Sequence, residues 1–168
     1  RLMADVAQSS LATTLMGQSY KVPFGIAPMG MCNLVHPMAD ASIANASKAM
    51  NFPMCLSSAA STSIEDMARM AGLHAWFQLY FGGSQEASLA MVERAQIAGY
   101  ETLILTVDVP QVSRRVRDLR NGFTVPFAMT PRAFWDFATH PSWSLSTLAA
   151  GAPRPMNFTD SKGSNTFD

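Results

Sequence analysis

The sequence has little charge, few cysteines and no long unbroken apolar run. Twelve Lys and Arg against twelve Asp and Glu give a formal net charge of +0. The overall positive field that nucleic-acid binding normally needs is therefore missing, and no nucleic-acid partner is expected. Cys32 and Cys55 stand far apart without C-x-x-C spacing. That fits two buried thiols in a reducing compartment better than a disulfide framework or a zinc site, so the expected address is cytoplasmic. His36, His74 and His140 lack metal-ligand spacing to one another or to a cysteine or carboxylate, and no metal site is expected. The longest uncharged apolar stretch, "VPFGIAPMGMCNLVHPMA", is broken by Pro23, Pro28 and Pro37 and cannot be a membrane span. The opening "RLMADVAQSS" has no apolar core followed by a small-residue cleavage site, so no signal peptide is expected. A chain that starts at Arg1 also reads as a fragment.

Apolar residues are present in quantity: 48% of 168 residues, enough for one domain with a real core. Short apolar runs that read as strands recur at 22–27, 53–58, 75–80 and 102–108. Helical patterns fill the gaps, in "MADASIANASKAM", in "SIEDMARMAG" with Ser63 as N-cap, and in "SQEASLAMVERAQIAGY" with Ser84 as N-cap and Gly99 as terminator. Alternation of this kind predicts βαβ units and a parallel sheet. From 124 onward five prolines interrupt the pattern, and apart from a short helix in "PRAFWDFA" the stretch reads as a long irregular segment or tail.

The polar residues lie at strand ends. The first run ends in "APMG", the second at Ser57 and Ser58, the third at Gln78 and Tyr80, the fourth at Thr106 and Asp108. Ligand contacts from many successive strand ends belong to a (β/α)8 barrel rather than to an open doubly wound sheet, and no G-x-G-x-x-G follows the first strand. A closed barrel takes about 250 residues. Four units therefore predict the N-terminal half of a (β/α)8 TIM barrel over 1–123, and 124–168 as a loop, insertion or tail.

The stretches "RLMADVAQSSLATTLMGQSYKVPFGIAPMG", "LSSAASTSIED", "WFQLYF" and "LTVDVPQVSRRVRDLRNGF" occur in order and at near-family spacing. Together they resemble the FMN-dependent L-2-hydroxy acid dehydrogenases and oxidases, a family that includes respiratory L-lactate dehydrogenases, mandelate dehydrogenases and glycolate oxidases. "MTPRAFWDFATHPSW" is similar to the respiratory lactate dehydrogenases. The resemblance implies FMN as cofactor and oxidation of an L-2-hydroxy acid, with L-lactate as the expected substrate. Main chain at Ala27, Pro28 and Met29 would lie against the flavin, and Ser57, Gln78 and Thr106 would bond to it. Tyr80 would bond substrate, Arg115 would approach its carboxylate, and Asp108 would sit beside the catalytic histidine. These residue types suit the chemistry. The flavin takes the hydride equivalent at N5, a guanidinium fork matches a planar carboxylate, and a phenol stabilises developing oxyanion character.

The resemblance also implies that the general-base histidine, a second arginine, a lysine near flavin N1 and the phosphate-binding glycines come from strands beyond Asp168. The family's substrate-binding tyrosine upstream of the first strand is missing too. Residues 1–168 alone are then expected to turn nothing over. The implied partners are a small 2-hydroxy acid, an electron acceptor (quinone, cytochrome or oxygen) and a second copy of the full-length chain. A peripheral place on the inner face of the cell membrane is expected through a mobile 124–160. Without the resemblance, "RRVRDLR" is a solvated basic loop with Asp118 as internal partner, Tyr80 a half-buried aromatic, and the Ser57–Ser58 pair an ordinary strand end. Arg114, Arg117 and Arg120 stay structural on either view. The competing reading is a non-catalytic half-barrel or assembly module, joined through its open sheet edge.

Overall fold

The computed structural model describes residue 7 and residues 9–81, 84–107, 116–121 and 129–158, the side chains of 118 and 119 excepted. A hairpin comes first, unforeseen in the sequence: β1 (Thr13–Leu15) pairs antiparallel with β2 (Gln18–Tyr20). Met16 and Gly17 join them, both with positive φ (47° and 81°), as a tight turn that matches strand twist requires. The buried Tyr20 accepts a hydrogen bond from Trp76 Nε1 at 3.3 Å, and Gln18 Nε2 donates to Glu101 at 2.8 Å. Both partners stand at the starts of later strands, so the hairpin covers the N-terminal end of the sheet.

Four parallel strands follow: β3 (Ile26–Met29), β4 (Met54–Ser57), β5 (Ala75–Tyr80) and β6 (Leu103–Thr106). Their spatial order is the chain order. A doubly wound sheet reverses its order at a switch point, whereas a barrel adds each strand beside the last; this sheet is an arc of a (β/α)8 barrel. The first strand begins four residues later than the 22–27 reading. Pro23 has no N–H to offer, and pairing starts where Ile26 N donates to Pro53 O at 3.0 Å. Gly25 lies so close to Pro53 that a Cβ there would stand 2.3 Å from its carbonyl oxygen.

The helices α2 (Ala39–Met50), α3 (Ile64–Ala71) and α4 (Gln85–Ile97) connect these strands. Ser63 and Ser84 cap α3 and α4 as their sequences predict, accepting from Asp66 N and Ala87 N, and Gly99 takes φ 93° beyond α4. Ile64, Met67 and Ala71 recur at helical spacing and meet Met54, Leu56, Ala75, Phe77 and Leu79, alternate residues on one face of the strands. Burying a side chain such as Phe77 or Met67 stabilises the fold by roughly 1.5–3 kcal/mol. Leu103 and Leu105 share that face by register, yet are 48% and 51% exposed at the edge of the arc.

The stretch from 124 holds the helix expected at 131–138, α6 (Pro131–Thr139), and one the sequence did not signal, α7 (Pro141–Ala150), after the short α1 (Cys32–Val35) and α5 (Val116–Asn121) earlier in the chain. Pro131 and Pro141 each occupy a helix's first turn, where no N–H is needed, and Thr130 caps α6 by accepting from Ala133 N. Phe137 and Trp143 pack at 5.5 Å between ring centres, and Trp143 Nε1 donates to Val35 O at 3.0 Å. The end of this stretch is docked as well: Asn157 is buried and Phe158 packs against the core. These contacts tie Trp143, Asn157 and Phe158 to the body of the arc. No described helix is long and apolar enough to cross a membrane.

Candidate functional site

The strand face opposite the helices carries the candidate residues Ser57, Gln78, Tyr80 and Thr106. Register sets Ser57 beside Gln78, Gln78 beside Ile104, and Tyr80 beside Thr106. Period-two alternation therefore puts Cys55, Ser57, Trp76, Gln78, Tyr80, Ile104 and Thr106 on one surface, with the polar members toward the C-terminal ends. That is where a barrel places its active site.

On β3 the ladder is irregular. Ile26 pairs with Met54 and Met29 with Leu56, so three steps on β3 match two on β4. A bulge of this kind leaves one residue unpaired and re-aims the main chain; here it involves Ala27, Pro28 and Met29, all exposed. Pro28 donates nothing to a ladder, which suits an edge or a bulge. The next residues are held close to the loop after β4. Met31 N donates to Ala59 O at 3.1 Å, and a Cβ on Gly30 would stand 3.3 Å from that of Ala59.

Ser57 is buried and its Oγ accepts from Ala59 N at 3.2 Å, a turn contact that leaves its O–H to be directed elsewhere. Ser58 joins β4 to β5: its N–H donates to Gln78 O at 2.9 Å and its Oγ accepts from Tyr80 N at 3.2 Å. Gln78 is wholly buried, 0% exposed, and its Nε2 donates to Thr106 Oγ1 at 2.8 Å. Its Oε1 has no hydrogen-bond partner among the described residues. Because a threonine hydroxyl can donate as well as accept, flipping the amide keeps that bond, and either way one polar amide atom remains to be satisfied. Tyr80, 40% exposed, ends β5 across from Thr106.

The structure thus brings together Ser57, Gln78, Thr106 and Tyr80, with Ala27–Met29 at the same end of the neighbouring strand. Asp108 and Arg115 lie outside the described residues, as does Arg114. Arg117 and Arg120 are exposed on α5. His74 belongs to the other end of the sheet, in edge contact with Tyr20 and 3.0 Å from Asn51 Oδ1. Among the described residues no three His, Cys, Asp or Glu side chains form a possible metal group.

Sequence reasoning missed a buried carboxylate beside this site. Asp40 Oδ2 accepts from Thr62 Oγ1 at 2.7 Å and from Ser61 Oγ at 3.1 Å, while Asp40 N donates to Asn33 Oδ1 at 3.1 Å. Asn33 N in turn donates to Ser61 Oγ at 3.1 Å. The loops after β3 and β4 are tied by this network. No linear spacing signals it, since the bonds that tie Asn33 and Asp40 to Ser61 and Thr62 span 21 to 28 residues. Cys32 lies in the same region; burial and then the Asp40 charge push its thiol up to about 11. Burial alone pushes Cys55 up to about 12.

Comparison with known proteins bears on the family and the fold. A family model described as FMN-dependent dehydrogenase matches residues 1–168. The (S)-mandelate dehydrogenase of Pseudomonas putida is 36% identical over 163 residues, covering 97% of this chain and 41% of that protein. The L-lactate dehydrogenase of Pseudomonas syringae pv. syringae (strain B728a) is 33% identical over 156 residues, covering 93% and 41%. The crystal structure of the monotopic membrane protein (S)-mandelate dehydrogenase superposes with a TM-score of 0.88 at 36% identity, over 99% of this chain and 44% of that one. The chain spans about two fifths of the length of these relatives.

Proposed function

Since the chain belongs to the FMN-dependent dehydrogenase family, we propose that it is the N-terminal arc of an enzyme that oxidises an L-2-hydroxy acid, L-lactate first, to the 2-oxo acid. The observation that carries this is the convergence of Ser57, Gln78, Thr106 and Tyr80 at the C-terminal ends of successive strands, with one buried polar atom of Gln78 unsatisfied. A flat heterocycle edged with donors and acceptors is what such a set fits. Gln78, Ser57 and Thr106 are assigned to hold FMN, with the main chain of Ala27, Pro28 and Met29 against its ring. When bound, FMN supplies the acceptor for the hydride equivalent.

The chain's own residues bind and orient. Tyr80 directs its phenol at a substrate oxygen from the rim of the site. Arg115 is assigned to the substrate carboxylate, which a guanidinium fork suits, and Asp108 to keeping the base histidine charged after it has taken the alcohol proton. That histidine is assigned to a later part of the full-length polypeptide, which acts as a homo-oligomer and passes electrons to a quinone, a cytochrome or oxygen. Residues 1–168 form the barrel arc to 123 and an insertion from 124. Phe134, Trp135, Leu145 and Leu148 stand exposed on α6 and α7. Aromatics and leucines on short helices are suited to headgroup depth, so we assign this pair a peripheral contact with the inner face of the cell membrane.

A mandelate substrate is the second reading, favoured by the match of 99% of the chain, α6 and α7 included, to a mandelate dehydrogenase. The full-length polypeptide, purified with FMN, should reduce an artificial acceptor with L-lactate or (S)-mandelate and ignore the opposite enantiomers. Turnover of neither acid would sink both readings, and the ratio of kcat/KM decides between them. Deleting residues 131–150 should release the enzyme from the membrane fraction with its FMN retained; unchanged fractionation would remove these helices from the anchor role.

A further inference from the structure

Asn157 stands beyond α7, far along the chain from the β4–α3 loop, yet it is wholly buried there, 0% exposed. Its Oδ1 accepts from Ile64 N at 2.9 Å and its Nδ2 donates to Thr62 O at 3.1 Å, across sequence separations of 93 and 95 residues. Its own carbonyl accepts from Arg94 Nη1 at 3.3 Å, and Met156 N donates to Ala60 O at 3.0 Å. Arg94 is fixed in turn by a two-pronged contact with Glu65, at 2.8 and 2.9 Å.

A helix N-terminus has orphan donors, and α3 already has a competent local cap in Ser63. Asn157 adds to that cap from a distant part of the chain, satisfying the orphan Ile64 N–H that Ser63 does not reach. It bonds the carbonyl before Ser63 and the amide after it, pinning the loop from outside while Asp40 pins Ser61 and Thr62 from the other side. Both clamps act on the chain leaving Ser57 and Ser58. At its other end the same excursion is tied to the loop after β3 through Trp143 and Val35 O.

We propose that Asn157 is a positioning residue for the flavin site: it fastens the segment returning from α6 and α7 onto the β4–α3 loop and so sets where Ser57 stands. The inference rests on the assignment of Ser57 to FMN made above. It makes the helix pair and the cofactor site one mechanical unit, although Asn157 is not assigned any contact with cofactor or substrate.

The test uses the full-length polypeptide. Asn157→Ala is compared with Met91→Ala, a cavity variant in the buried face of α4 away from the site, by FMN Kd from flavin fluorescence, by the visible circular dichroism of bound flavin, and by apoprotein Tm. Both variants should lower Tm. Only Asn157→Ala should also weaken FMN binding, by about tenfold, and change the flavin dichroism, because loss of one such hydrogen-bonded clamp is on that scale. Asn157→Asp keeps the acceptor for Ile64 N but turns a buried carboxylate oxygen on Thr62 O, so it should weaken FMN at least as much as alanine; the neutral Asn157→Ser carries the test if the alanine variant does not fold. An FMN Kd within twofold of wild type for the Asn157 variants overturns the proposal, as does equal weakening in Met91→Ala. A wild type that binds no FMN removes the underlying assignment and the proposal together.

Discussion

Replacing Gln78 by methionine separates a structural glutamine from a cofactor ligand by the sign of two effects. In the folded chain Gln78 is fully buried, makes one side-chain hydrogen bond, to Thr106, and leaves Oε1 without a partner among the described residues. Methionine has nearly the same length and volume, so the cavity contribution is small. Losing the amide–hydroxyl bond costs roughly 0.5–1.5 kcal/mol, and removing a buried unsatisfied acceptor returns roughly 1–3 kcal/mol. Thr106, half-buried, can turn its hydroxyl toward solvent and lose little more. The apoprotein of Gln78→Met should therefore be as stable as wild type or up to about 2 kcal/mol more stable. With FMN the sign reverses, since the amide loses its assigned ligand; one such bond, about 1.4 kcal/mol, is tenfold in Kd. Urea unfolding of apoprotein and flavin fluorescence titration of the full-length polypeptide read the two quantities separately. An apoprotein destabilised by more than about 2 kcal/mol with FMN affinity intact would make Gln78 a structural strut and refute the reasoning.

Other perturbations follow from the same geometry. Gly25→Ala drives a Cβ to 2.3 Å from Pro53 O and should cost about 1–3 kcal/mol, read as a lowered urea midpoint; an unchanged midpoint would deny the close approach. Cys32 and Cys55, raised to about 11 and about 12, hold little thiolate at pH 8, so iodoacetamide should alkylate Cys32 in the folded chain about a hundredfold more slowly than a free thiol. A thiol pKa raised in the folded state contributes stability that is complete below about 9 and lost as pH rises toward 11 to 12, so stability should fall in that alkaline window and Cys→Ser variants should blunt the fall. Arg115→Lys replaces a fork by a point charge and should lower kcat/KM by roughly ten- to a hundredfold with flavin content unchanged; unaltered steady-state constants would return the arginines to a solvated surface.

Local chemistry was readable in the sequence because it is local. Ser63 and Ser84 cap their helices, Gly99 ends one, and strands β4, β5 and β6 fall inside the runs that read as strands, because caps and apolar periodicity act within a turn or two of chain. The candidate site residues were named from family motifs and strand-end positions, and the parallel arc needed only the alternation of elements. The hairpin at 13–20 escaped because Met16 takes a left-handed turn position that favours glycine or asparagine. Pro131 reads as a first-turn proline and stands as one, whereas the helix from Pro141 escaped because its cap residue, His140, makes no side-chain capping bond and gives no capping signal. The bulge at Ala27–Met29, the Gln78 Oε1 without a partner among the described residues, and the clamps from Asp40 and Asn157 were settled only by tertiary structure. Each depends on partners at least 20 residues away in sequence, and which buried polar group finds a partner is decided by packing, not by spacing along the chain.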